Sequence, residues 1–450
     1  MPKSPNTNLR ILLQEADWSG TQLAIAVRHM AAERGQQVSC GQSTVSRWLS
    51  GTTPRPPMPA LLLGVLSRRL QRPVTASEAG LSRTPVHGSD VFDLSWEADP
   101  LRRLSLLTGS DLDPSRRHLL GAGMFSLAAL AVPDAWPTPE KSPAGPPPRT
   151  ARARGRAGGA EVAQMQTMAR MFAEAAEAHG PGHVRTALAA YLHHDVTGYL
   201  HAPAGEEAHR RLLSGAAQLS LLLGTMCAGS GADALAQRYH HTAAHLATEA
   251  DDTTTFAIAL RTMSAHAHDL GHHTPAVLNL AQRATDATRH AAPIICAYAQ
   301  AHLAVMQAHH DKHAALTALT ASEHLYEQER AAPGPFSHYP AGALHYQRAQ
   351  TLAALGDRTG ASRALTTSLR LRAPGERQAR TLTRARLAET LLAQGHLEQA
   401  LTHWQTFLDD YPTLHSTRTT HRLHAMRQLL HPHRRHHATA HLLAQAATLH

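Results

Sequence analysis

Residues 386–412 read RLAETLLAQGHLEQALTHWQTFLDDYP. An apolar helical pattern runs into a glycine-containing turn, and an alanine-bearing helix follows. The same layout recurs in LLLGTMCAGSGADALAQRYHHTAAHLATEA (221–250), ALRTMSAHAHDLGHHTPAVLNLAQRA (259–284) and HYQRAQTLAALGDRTGASRALTTSLRL (345–371). The turn glycines Gly271, Gly356 and Gly395 fall at multiples of about forty residues, and VMQAHHDKHAALTAL (305–319) supplies the turn missing from that series. A fixed period of paired helices predicts stacked hairpins from residue 161 to 450. A single such pair cannot bury its apolar face alone.

These repeats resemble a tetratricopeptide array, slightly long and degenerate, with a generic helical solenoid as the fallback. The small residues Ala364 and Ala400 stand where that repeat brings its helices close. The resemblance implies a concave surface able to take a peptide, a protein or a small-molecule effector.

Composition agrees with an all-α chain. Aromatic residues make up 4% of 450 residues, too few for a sheet-built core. Cys40, Cys227 and Cys296 are far apart and form no CxxC pair, which predicts a reduced, cytoplasmic protein. The N-terminus MPKSPNTNLRILLQ has no apolar core of a signal peptide. No apolar stretch is read as long enough to cross a bilayer, so no stable membrane insertion is expected.

Upstream of the repeats lies a connector, 82–160. It contains SRRHLLGAGMFSLAALAVPDA (115–135), which has the look of a twin-arginine export signal in the wrong place. Its apolar run, Leu119 to Val132, predicts a helix or tether docked on protein rather than a membrane contact. PDAWPTPEKSPAGPPPRTARARGRAGG (133–159) is too rich in Pro, Gly and Arg to bury a core, and predicts a flexible linker.

Charge is concentrated near the start. Residues 1–81 hold nine Lys/Arg against four Asp/Glu, whereas 161–450 hold 24 against 22. A basic module on a nearly neutral body suggests a polyanion partner. Residues 9–81 show five short helical patterns. Leu9, Leu12 and Leu13 share a face; Ser19 caps a second helix carrying Leu23, Val27 and Met30; Gly35 stops it. Val45, Trp48 and Leu49 form the stripe of a third, PALLLGVLSRRL is a fourth and TASEAGL a fifth. With that stripe buried, the third helix presents Gln42, Ser43, Thr44, Ser46 and Arg47 outward.

TQLA (21–24) and STVSRWLSG (43–51) resemble the helix-turn-helix of phage-repressor-like regulators. The resemblance implies that Gln42, Ser43, Thr44, Ser46 and Arg47 meet bases or backbone in the major groove of double-stranded DNA. Thr21 and Gln22 would meet phosphates. About fourteen residues separate Leu23-Ala24 from Val38-Ser39, roughly twice the usual gap, so the second helix or the turn must be longer here.

Histidine is abundant, 35 in all, with adjacent pairs at 193–194, 240–241, 272–273, 309–310 and 436–437. Neighbouring side chains on a helix point apart, so these predict surface histidines and no specific metal site. HPHRRHH (431–437) is the place for adventitious metal. No GxSxG, Walker, HExxH or dinucleotide motif is present, so no catalytic residues and no cofactor are assigned and the chain is read as a non-enzyme.

Taken whole, the chain resembles actinobacterial, Streptomyces-type transcriptional regulators that join an N-terminal helix-turn-helix to C-terminal tetratricopeptide repeats. The marks are STVSRWLSG, DPSRRHLLGAGMFSLAALAVP, HVRTALAAYLHHDV and ALAQRYHHTAAHLA. That resemblance implies a sequence-specific DNA-binding regulator of development or secondary metabolism, acting as a homodimer through its repeats. The alternative is an adaptor that binds no DNA and holds a protein or peptide partner.

Overall fold

The computed structural model describes residues 6–33, 38–52, 54, 58–70, 74, 79, 81, 96, 98–113, 125–132, 157–328 and 339–449. The chain divides into two compact units, Met1–Asp93 and Leu94–His450. Among the described residues every regular element is helical.

The first unit contains α1 (Thr7–Glu15), α2 (Gly20–Glu33), α3 (Gln42–Leu49) and α4 (Met58–Leu70). Its core gathers the residues that recur at helical spacing: Leu9, Leu12 and Leu13; Leu23, Val27 and Met30; Val45 and Trp48; and Leu61, Leu62, Val65 and Leu66. Asn6 closes the start. Its side chain accepts the Leu9 N–H at 2.9 Å, and its own N–H donates to the Leu49 carbonyl at 2.9 Å, which ties α1 to α3. The long gap of the sequence is taken up first by α2, which runs fourteen residues. The expected stop at Gly35 and most of the expected fifth helix, TASEAGL, lie outside the described residues.

The second unit begins before residue 161. Helix α5 (Pro100–Leu112) falls within the stretch read as connector, yet it packs on the helices that follow. Next come α6 (Gly159–His179) and α7 (Pro181–Tyr191). α7 continues through a π-helical stretch, Leu192–Val196, into a last turn, Thr197–His201. The hairpins then run α8–α9 (Glu206–Gly229, Asp233–Glu249), α10–α11 (Thr253–Asp269, Pro275–Ala287) and α12–α13 (Pro293–Gln307, Lys312–Glu327). They continue as α14–α15 (Ala341–Ala354, Arg358–Leu371), α16–α17 (Arg377–Ala393, Leu397–Asp410) and α18–α19 (Thr417–Leu430, His437–Ala447). From α8 to α17 each helix packs most closely on its hairpin partner and next on a neighbouring hairpin, whereas α18 and α19 pack more on α16 and α17 than on each other. This is an all-α helical solenoid.

The turns follow the sequence. Gly271, Gly356 and Gly395 have φ of +86°, +84° and +86°, the left-handed backbone that glycine adopts without a Cβ clash. The α12–α13 turn does without glycine, and Asp311 caps α13 by accepting the N–H groups of His313 and Ala314 at 2.8 and 3.1 Å. Ala364 and Ala400 are buried between helices, as their size predicts.

The solenoid closes on itself. The His415 N–H donates to the His179 carbonyl at 2.9 Å, and the Gly182 N–H donates to the His415 carbonyl at 3.0 Å. Gly180 sits at this seam with φ +88°, and a Cβ there would fall 2.6 Å from the His415 nitrogen. α6 also packs against α16, and Arg418 at the start of α18 pairs with Asp269 at the end of α10 at 2.5 Å.

One expectation needs correcting. α8 is long and apolar enough to cross a bilayer by length and composition, with mean hydropathy 1.4 over its best window. Alternation with Ala, Gly and Ser disguises it in the sequence. In the fold 72% of that window is buried, against α6, α7, α9 and α10.

Candidate functional site

In the first unit, the outward face of α3 carries Gln42, Ser43, Ser46 and Arg47, all exposed, while Val45 and Trp48 face the core. Thr44 differs from expectation. It is half-buried, and its hydroxyl accepts the Gly41 N–H at 3.4 Å, so it helps start the helix. On α2, Thr21 is exposed. Gln22 and Ser19 cap each other: Gln22 Oε1 accepts the Ser19 N–H at 2.7 Å, and Ser19 Oγ accepts the Gln22 N–H at 3.3 Å. Gly20 lets the two helices approach, since a Cβ there would lie 3.3 Å from Val45 Cγ1.

In the second unit, the notable feature is a segment of the chain laid over its own hairpins. It has two parts, α5 and a strap, residues 125–132. α5 rests on α7 and α9. Its inner face is apolar at Leu104 and Leu107, but Arg103, Thr108, Ser110 and Asp111 are also buried. Those polar groups need partners, because burying them unpaired is costly. Asp111 pairs with Arg185 of α7 and accepts the Tyr239 hydroxyl of α9 at 3.1 Å; Arg185 Nε reaches Cys227 Sγ at 3.1 Å. Burial pushes the Cys227 thiol up to about 12 and the Tyr239 phenol well above its usual range, so both remain protonated. Arg103 Nη1 lies 3.1 Å from His241 Nδ1, and Thr108 Oγ1 lies 3.1 Å from His193 Nδ1 in the π-helical stretch. Extra residues in a helix commonly serve to re-aim a side chain, and here the π-helical stretch carries His193 to α5.

Over Leu119–Val132, read as a docked helix or tether, the described part is a docked tether. Residues 114–124 lie outside the described part; those from 125 to 132 contain no α-helix, only a bend at Leu127 and a single 3₁₀ turn, Ala128–Leu130. Apart from the Leu130 N–H, which donates to the Leu127 carbonyl at 3.1 Å, the strap's backbone is held by side chains of the hairpins. Gln237 of α9 holds the Ser126 backbone at two points: its Nε2 donates to the Ser126 carbonyl at 2.6 Å, and its Oε1 accepts the Ser126 N–H at 3.0 Å. Arg283 of α11 donates to the Val132 carbonyl at 2.7 Å. Phe125 stacks on His272 with ring centroids 5.6 Å apart and meets the edge of His266; Leu130 is buried. Trp96 joins the two parts. Its ring lies against His241, His245 and Phe256, and its Nε1 donates to the Ala131 carbonyl at 3.3 Å.

A second departure concerns the histidines: Trp96, Arg103 and Phe125 of the covering segment lie on His241, His245 and His266, while His240 and His302 are enclosed by the hairpins themselves. His240, His241, His245, His266 and His302 are interior, not surface. Gly224 of α8 makes room for one of them: a Cβ there would fall 2.4 Å from His240 Cδ2. Burial holds His240 and His302 well below the usual histidine range and His245 at about 4, so these rings are neutral near pH 7. Sequence alone does not reveal this, because an adjacent HH pair reads as polar on any helix whose cover is unknown. The sequence sign that could have found it is that α9 carries Ala, Leu, Gln, Tyr, His and Thr all round and hardly any charge.

Comparison with known proteins adds two findings. Residues 9–82 match the model of the SP15 N-terminal domain. Among solved structures, a thermophilic TPR protein from Thermus thermophilus is similar, at 23% identity, covering 44% of this chain and 92% of that one, with a TM-score of 0.29. That superposition sets no correspondence between individual helices. No curated protein matches the chain in sequence.

Proposed function

We propose that this protein is a non-catalytic interaction scaffold whose helical hairpins hold a protein or peptide segment. The observation that carries the reading is the strap. Gln237 bonds both the N–H and the carbonyl of one residue, Ser126, as a neighbouring strand would, and Arg283 takes another carbonyl. Backbone-directed bonds of this kind recognise a chain segment whatever its sequence, while the ring face of His272 selects for an aromatic neighbour. A partner would present the same chemistry: a segment with an aromatic residue, followed by a small residue and a buried leucine.

The test uses the full chain with its own strap weakened by Trp96→Ala and Ser126→Pro; the proline removes the N–H that Gln237 accepts. A fluorescent peptide of residues 94–132 should bind this variant saturably, and adding Gln237→Ala should weaken binding at least tenfold. A natively folded variant that binds no peptide refutes the reading.

A second reading is favoured by the exposed polar face of α3. There the first unit reads double-stranded DNA with Gln42, Ser43, Ser46 and Arg47, and a second copy of the chain adds affinity on paired half-sites. Under this reading Arg47→Ala costs about 1–3 kcal/mol at the specific site, and binding falls steeply with salt through counterion release. Anisotropy of the full chain on DNA selected from genomic fragments tests it. Equal, salt-insensitive binding to selected and scrambled DNA eliminates it.

A further inference from the structure

Three histidines from two successive hairpins converge at one edge of the solenoid. His268 ends α10, His273 lies in the turn before α11, and His309 lies in the turn between α12 and α13. Gly271, with φ +86°, turns the chain back so that His273 returns beside His268. His268 Nδ1 and His273 Nδ1 are 3.2 Å apart, and one nitrogen from each of the three rings lies within 4.8 Å of the others. The His273 and His309 rings are stacked with centroids 3.8 Å apart.

We infer that His268, His273 and His309 form a binding site for a zinc-class divalent cation, which ties the α10–α11 hairpin to the α12–α13 hairpin. The first argument is geometric. Two nitrogens bound at about 2.0–2.1 Å to a tetrahedral ion stand roughly 3.3 Å apart, close to the spacing of the two Nδ1 atoms. His309 is exposed on a turn, so its ring can pivot off the stack to bring the third nitrogen in. The second argument is donor chemistry. Three imidazoles suit zinc, nickel or copper and are poor hosts for calcium or magnesium, which take oxygen ligands. Solvent at the exposed His309 side supplies a fourth ligand.

The charged and titratable groups around the three rings are Asp269, Arg261 and Arg386 near His268, with His272 and His310 beside the other two. Asp269 is engaged by Arg418, which leaves the cluster without a free carboxylate from that residue.

The experiment is a calorimetric titration of the metal-free full chain with zinc chloride, repeated with cobalt chloride to read the visible ligand-field bands. The background chain carries His436→Gln and His437→Gln, which removes the adjacent pair of the HPHRRHH stretch. On that background one equivalent of zinc should bind, the cobalt complex should show intense tetrahedral bands, and zinc should raise the thermal midpoint. Adding His273→Gln and His309→Gln should reduce affinity at least tenfold and abolish both the bands and the midpoint shift, with the metal-free circular dichroism unchanged. His309→Gln alone, at an exposed position, should do the same in smaller measure. Zinc binding that is indifferent to these changes, or absent from the background chain, overturns the assignment.

Discussion

Replacing Asp111 with alanine tests what holds α5 on the hairpins. The carboxylate is 2% exposed and faces the Arg185 guanidinium and the Tyr239 hydroxyl, itself fully buried. Truncation leaves a largely buried cation without its counter-charge. Removing one member of a buried ion pair typically costs about 3–5 kcal/mol. The lost acceptor for Tyr239 is part of the same network, so it does not add in full. Because α5 lies over α7 and α9 and is not one of the paired hairpin helices, the loss should be local. Hydrogen exchange of α5 amides should quicken by roughly two to four orders of magnitude, at 1.36 kcal/mol per decade, while α16 and α17 keep their protection. Adding Arg185→Met removes the stranded cation, so the double variant should recover at least about 1.5 kcal/mol relative to the sum of the singles. Unfolding of both variants in urea, read by circular dichroism, supplies the cycle. An Asp111→Ala chain within about 0.5 kcal/mol of wild type, with unchanged α5 exchange, would refute the argument.

Other expectations follow from named contacts. Gly180→Ala should destabilise the closed solenoid by about 2–4 kcal/mol, because φ +88° and ψ 154° suit glycine alone and the new Cβ meets His415 backbone; denaturant unfolding measures it. Acid should weaken the second unit early. His245, His240 and His302 have folded pKa values below their unfolded value of about 6.5, so the unfolded state binds more protons as pH falls through that value. Their stability contribution is intact above about pH 6.5 and is lost on descent to about pH 4, the folded value of His245, which thermal midpoints at stepped pH will show. Cys227, buried and with its thiol raised to about 12, should resist alkylation in the native chain and react on unfolding, as mass spectrometry can follow.

The periodic parts of the fold are legible in the sequence and the covering parts are not. Leu9, Leu12 and Leu13, then Val45 and Trp48, announce their buried faces by spacing alone, and the positive-φ glycines mark hairpin turns. Gln42, Ser43, Ser46 and Arg47 fall outward because the stripe between them falls inward. What spacing cannot convey is contact between segments remote in the chain. Nothing near Ser126 says that Gln237, 111 residues on, holds its backbone, so the apolar run reads only as a docked helix or tether. Asp111 and Arg185 are 74 residues apart, and each alone reads as a solvated charge. The three-histidine cluster is hidden for the same reason: local HH pairs do point apart, and the convergence arises between turns of different hairpins.

Self-coverage has a quantitative consequence for binding. A partner that uses the α9–α11 surface competes with a segment already tethered there, and tethering gives that segment a high effective concentration. If the Asp111 network contributes about 3 kcal/mol to closure, roughly one molecule in a hundred or two is open, and apparent affinity falls by that fraction. The strap and α5 also carry different kinds of contact. The strap is held by a few side-chain bonds to backbone, whereas α5 adds Leu104, Leu107 and a buried ion pair. Under the proposed function, a partner segment meets the weaker end first, at Gln237 and Arg283; Trp96, which donates to Ala131 while lying against His241 and His245, shares His241 with Arg103 of α5. Trp96→Ala uncouples the two parts, and in that variant a peptide of residues 125–132 should replace the strap while α5 exchange remains as slow as in the peptide-free variant.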